Sequence, residues 1–99
     1  MVDTGQRMLT SDEFAPLTGA TFEVKIAEDQ AVAMRLIDVS ELGSNPLRRS
    51  FSLQFQGAGK QQLPQSIYNF RHPQLGEQAI FIVPISVNTE GFVYEAVFN

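Results

Sequence analysis

The sequence predicts an all-β domain: a six-stranded antiparallel meander closed into a small barrel or a two-layer sandwich, with one short N-terminal helical turn. Three observations carry that prediction. Apolar and polar residues alternate strictly over short stretches, as in TFEVKIAE at 21–28 and RSFSLQFQ at 49–56, which is the period of a half-buried strand. Turn-forming clusters such as Gly43-Ser44-Asn45-Pro46 and Pro73-Gln74-Leu75-Gly76 separate the stretches, as expected of strands joined by tight turns. The chain closes on EQAIFIVPISV, NTEG and FVYEAVF at 77–98, two β-branched and aromatic runs around a turn, which reads as a β-hairpin. A single layer of twisted strands would leave its apolar face wet, so the sheet must curl into a barrel or double into a sandwich.

Residues 1–9 lack periodicity and read as a flexible N-terminus, leaving 10–99 as a single β domain. Thr10 or Ser11 then precedes Asp12, Glu13 and Phe14, an N-cap followed by acids that face the positive end of a helix dipole. Pro16 and Gly19 stop that helix early. Phe14 and Leu17, three apart, can both turn inward and close one end of the core. The first strand, 21–28, sets Phe22, Val24 and Ile26 on one face. The second, 31–42, runs in phase through Val32, Met34 and Leu36 and shifts at Val39, so a bulge or a bend lies near Ile37–Asp38.

The third strand, about 49–56, turns Phe51, Leu53 and Phe55 inward and Ser50, Ser52, Gln54 and Gln56 outward. GAGKQQLPQ at 57–65 is the longest loop. Its Gly-Lys pair is not a phosphate-binding loop, which needs four residues between the glycines, then Lys-Ser/Thr and a helix. The fourth strand, 66–72, sets Tyr68 and Phe70 against Ile67, Asn69 and Arg71. Pro84 in the fifth cannot donate to a ladder, so its nitrogen faces solvent or sits at a bulge. Asn88 can open the closing turn by bonding its own backbone, and Gly91 can close it with a positive φ. In the last strand Phe92, Tyr94, Ala96 and Phe98 share a side; Val93 and Val97 with Glu95 make the other, expected to be partly covered. Phe51, Phe55, Tyr94 and either Phe81 or Ile82 are the expected inward anchors.

Ninety-nine residues with 43% hydrophobic content and eight Phe suffice for one core without metal or disulfide. The absence of cysteine removes disulfides, thiolate chemistry and cysteine-ligated zinc. No apolar run is long enough to span a bilayer, and the first residues lack a secretory apolar core. A cytoplasmic protein that engages no membrane is therefore expected. The net charge of −4 is unevenly placed: residues 1–41 hold eight acids and three bases, 42–76 hold four bases and no acid, and 77–99 hold three acids and no base. The acidic total points away from nucleic acid.

No constellation in the chain carries chemistry. His72 is the sole histidine, which leaves no metal cluster or proton relay and favours a structural or surface role. A triad of His72, Asp38 or Glu77 and one of the serines is unsupported by any sequence pattern. Tyr68 and Tyr94 read as core aromatics with hydroxyls at the rim. The expectation is thus no enzyme, no cofactor and no metal. The leading functional reading is a protein-interaction or assembly module, with a protein partner or self-association; the alternative is a small-molecule or glycan-binding barrel lined by some of the aromatics. The expected contact face is the basic middle of the chain. If the third and fourth strands are neighbours, Ser52, Gln54 and Gln56 lie beside Asn69 and Arg71, framed by Arg48, Arg49 and Lys60.

The chain resembles a family of short bacterial all-β proteins of unknown function. The segments that carry the resemblance are DEFAPLTGATFEV at 12–24, FSLQF at 51–55, LPQSIYNFRHPQLG at 63–76, IFIVPIS at 80–86 and YEAVFN at 94–99. The resemblance implies a fold and no chemistry. Members stand alone and are sometimes encoded beside phage-tail-like fibre or collar proteins, which implies an accessory or assembly role.

Overall fold

Eight short elements follow the N-terminal segment in a computed structural model of the chain, which describes residues 10–45, 48–59 and 62–98. The expected flexible stretch 1–9 lies outside the described residues. Helix α1 (Ser11–Phe14) continues into a 3-10 turn, Ala15–Leu17, with Thr10 as N-cap. Glu13 reaches back to accept the Thr10 backbone N–H at 3.1 Å, so the first-turn acid supports the helix start as its position predicts. Pro16 stands at the start of the 3-10 turn, where its missing N–H costs nothing. Six strands follow: β1 (Thr21–Ala27), β2 (Gln30–Asn45), β3 (Arg48–Gly57), β4 (Ser66–His72), β5 (Gly76–Val87) and β6 (Phe92–Phe98). Gly43 to Asn45, expected as turn, extend β2 instead and pair with Arg48 to Ser50.

All six strands are antiparallel to their neighbours, and they close into a barrel in the order β1-β2-β3-β6-β5-β4. The barrel is thus built from two three-stranded meanders, β1-β2-β3 and β4-β5-β6, joined edge to edge. β3 closes on β6, with Phe55 opposite Tyr94, and β4 closes on β1, with Phe70 opposite Val24. Consequently β3 and β4, consecutive in sequence, are not neighbours. In a six-strand ring of this order they stand opposite each other. The connection from Gly57 to Ser66 crosses the barrel mouth; at about 3.3–3.6 Å per residue it reaches roughly 30 Å, ample for the crossing. The Tyr94 hydroxyl accepts the Leu63 backbone N–H at 2.9 Å and ties that connection to the mouth.

The interior follows from the alternation. Phe22, Val24, Met34, Leu36, Leu53, Phe55, Phe70, Ile80, Ile82 and Tyr94 are all buried. At its centre Phe55 packs against Phe22 edge-on at 5.5 Å and against Phe70 at 4.7 Å, separations at which aromatic pairs attract beyond simple area burial. The opposite end is plugged by the N-terminal helix: the Phe14 ring lies 6.1 Å from Phe51 and 5.9 Å from Phe98, which stack on one another at 4.6 Å. Leu17 is buried alongside. Two irregularities sit where the sequence puts them, a register shift between Leu36 and Asp38 and another between Pro84 and Ser86. Two more, between Glu41 and Gly43 and between Lys25 and Ala27, have no counterpart in the sequence pattern. Phe81, one of two alternatives for an inward anchor, points outward and is 50% exposed, whereas Ile82 is fully buried.

Candidate functional site

The two strands whose outer rows are expected to form the basic face are not neighbours. They are separated by the ring order, because both edges of β3 are occupied, by β2 and β6, while β4 pairs with β1 and β5. Asn69 and Arg71 are exposed on β4, but Ser52 and Gln56 on β3 are buried and Gln54 is half-buried. Gln56 is covered by a reciprocal amide pair with Asn88: Asn88 Nδ2 donates to Gln56 Oε1 at 2.8 Å, and Gln56 Nε2 donates to Asn88 Oδ1 at 3.2 Å. Asn88 meanwhile caps its own turn, accepting the Glu90 and Gly91 N–H groups at its side-chain oxygen. The Gln56 amide is thus engaged within the fold. Arg48 and Arg49 begin β3, though their side chains lie outside the described residues, as does Lys60.

A different outer surface emerges on β4 and β5. In their ladder Ile67 stands opposite Phe81, Asn69 opposite Ala79 and Arg71 opposite Glu77. All six side chains lie on the outer face and are exposed, Ile67 by 63% and Phe81 by 50%. Val97, half exposed on β6, adds to the apolar outer surface. Arg71 lies 3.7 Å from Glu23 on β1, both groups more than half exposed, an ion pair of small energetic weight. Both faces of β5 are therefore apolar over part of its length. The sequence signal was present: Ala79, Phe81 and Val83 alternate with Ile80 and Ile82, so one set had to face out.

Two hollows adjoin this surface. One, of about 810 Å³, lies over β1 and is lined by Thr21, Glu23, Ala31, Ala33, Arg71 and Pro73 among others. The second, about 280 Å³, continues it past Lys25, Asp29 and Glu77. Both are open and mix acids with bases. A third hollow of about 300 Å³ sits at the barrel mouth among Ile26, Val32, Leu63, Phe92 and Tyr94. Tyr68 stands at the same end, its hydroxyl donating to the Pro64 carbonyl at 2.7 Å. Burial, and secondarily the nearby Tyr94, hold the Tyr68 phenol above its ordinary value.

His72 is arranged as a structural residue. Its ring packs 5.0 Å from Phe22, and its Nδ1 accepts the Gln74 backbone N–H at 3.1 Å. That bond fixes the PQLG turn. Among the described residues no group of three or more His, Asp or Glu is placed to hold a metal ion. No helix among them is long and apolar enough to cross a membrane. Residues 9–98 match the model of a family described as a domain of unknown function, DUF6916. No curated protein and no solved structure matches the chain.

Proposed function

The chain belongs to the DUF6916 family, and on that footing we propose that it is a non-enzymatic protein-interaction or assembly module. The carrying observation is the exposed Ile67–Phe81 pair, in register on the outside of a barrel that already has a buried apolar core of its own. Large apolar side chains cost free energy in water, so neighbouring ones left outside a complete core mark a contact surface. The arrangement of His72 supports the same reading, since the one described hydrogen bond of its ring serves a turn. The module functions without cofactor or metal. The implied accessory role beside phage-tail-like proteins in a bacterium belongs to this proposal and sits well with a contact surface. The test is capture from the source cell's lysate with the parent and a Phe81→Asp variant as baits. A protein recovered by the parent and lost with the variant supports the reading; identical recovery by both contradicts it.

The mouth hollow favours a second reading, a small-molecule or glycan-binding barrel. Its volume of about 300 Å³ and its apolar lining with one tyrosine stand at the small end of ligand sites. Calorimetric titration with short alkyl, aryl and neutral sugar probes tests it. Heat that vanishes in Phe92→Ala but persists in Phe81→Asp would support this reading over the first.

A further inference from the structure

We infer that the outer face of β4 and β5 is complementary to itself, so that its occupant is a second copy of the chain in a weak two-fold dimer. This rests on the reading above that the face is a contact surface, and it names the partner. The face consists of three cross-strand pairs: Ile67 with Phe81, Asn69 with Ala79, and Arg71 with Glu77. The two outer pairs join residues that would attract one another across an interface, apolar with apolar at one end and cation with anion at the other, and the small Ala79 beside Asn69 between them puts up no obstacle.

Such a pattern has a geometric consequence. Place a two-fold axis in the contact plane, parallel to the strands and midway between β4 and β5. Every β4 residue then meets its own ladder partner on the other copy. Ile67 packs on the second copy's Phe81 and Phe81 on its Ile67. Arg71 faces the second copy's Glu77 and Glu77 its Arg71, so two ion pairs form by symmetry. An axis at right angles to the strands would instead bring the charged Arg71–Glu77 end against the apolar Ile67–Phe81 end, where no charge answers it. The complementarity therefore selects one orientation. The two strands of the face carry one cation and one anion, with Glu23 of β1 beside the cation, and apposition about this axis sets Arg71 against Glu77 so that no like charges stand opposite each other.

The size of the face limits affinity. Seven residues per strand at about 3.3 Å, on two strands about 4.8 Å apart with their side chains, cover on the order of 400 Å² per copy. A standard interface buries about 800 Å² per partner. The dimer is accordingly weak, with dissociation in roughly the high-micromolar range. The net charge of −4 on each copy opposes association further.

Sedimentation velocity from about 10 µM to about 1 mM is the test, spanning the range in which so small an interface associates. The parent shifts from monomer towards dimer as concentration rises. Phe81→Asp remains monomeric throughout, with a native circular dichroism spectrum. Arg71→Glu and Glu77→Arg each weaken association by roughly 3- to 10-fold, and the double swap, Arg71→Glu with Glu77→Arg, recovers part of the loss, because each copy then offers the reversed pair while position 71 no longer attracts Glu23. A parent that stays monomeric at the highest concentration, or a Phe81→Asp variant that dimerises equally well, overturns the inference. If the parent is monomeric but Phe81→Asp still loses a protein captured by the parent, the dimer is refuted and the contact surface stands. If neither property depends on Phe81, both fall.

Discussion

Phe55 and Phe81 carry the same side chain on opposite sides of the barrel wall, and their energetics should differ accordingly. Phe55 is completely buried and touches the Phe22 and Phe70 rings. Truncating it to Ala removes the transfer free energy and leaves a cavity, at a cost of about 3–5 kcal/mol, a large part of the roughly 5–15 kcal/mol that holds a domain together. Phe81 is half exposed, and Phe81→Ala should change stability by no more than about 1 kcal/mol. Urea titrations of the two variants check the contrast; equal losses would place Phe81 in the core. Tyr68 gives a second residue-scale prediction. Its phenol is held above the ordinary value by burial first and Tyr94 second, so the unfolded chain loses this proton before the folded one does. The contribution is intact below the unfolded value near pH 10 and is lost as pH rises through the folded value. Melting temperatures followed across about pH 9 to 11 should fall more steeply for the parent than for Tyr68→Phe; parallel curves would rule out the linkage.

Among the elements, the closing hairpin shows how a turn is fixed from two directions. Asn88 caps it from within, and Gly57 and Gly59 press on it from outside. A Cβ on Gly91 would lie 2.6 Å from the Gly57 carbonyl oxygen and 2.7 Å from that of Gly59, at a φ of +147°. Gly19, with a φ of +93°, has open space around its position. Gly19→Ala should therefore cost only backbone strain, about 1–2 kcal/mol. Gly91→Ala adds a backbone collision and should cost clearly more; the ordering of the two in thermal melts is the check, and a reversed ordering would contradict the close approach. The turn chemistry of Asn88 and the bulge at Pro84 were both legible in the sequence because each is a local property of one or a few residues. The burial of Gln56 was not. It depends on Asn88, 32 positions away, and alternation within one strand carries no information about which partner will cover its outer row. The inward choice between Phe81 and Ile82 was ambiguous for a related reason: both faces of β5 are apolar.

At the scale of the whole molecule, six strands that curl into a barrel or a sandwich followed from periodicity, but the choice of the barrel and the strand order did not. A connection of this length between β3 and β4 permits either a hairpin or a crossing, and neither local propensity nor alternation distinguishes them. The crossing wins because β6, returning from the closing hairpin, occupies the edge of β3. That single topological fact separates Ser52, Gln54 and Gln56 from Asn69 and Arg71 and leaves β4 and β5 as the proposed contact surface. It can be measured directly, since the chain has no cysteine of its own. Gln54 and Glu95 are ladder partners of β3 and β6 on the outer face, within the Cα separation of about 4.5–5.5 Å that an antiparallel pair sets and a disulfide can bridge. Two double variants, Gln54→Cys with Glu95→Cys and Gln54→Cys with Asn69→Cys, are oxidised as folded monomers and mapped by proteolysis and mass spectrometry. The ring order β1-β2-β3-β6-β5-β4 predicts an intramolecular crosslink in the first and none in the second. A crosslink between positions 54 and 69, with none between 54 and 95, would put β3 beside β4 and contradict both the barrel closure and the contact surface proposed on it.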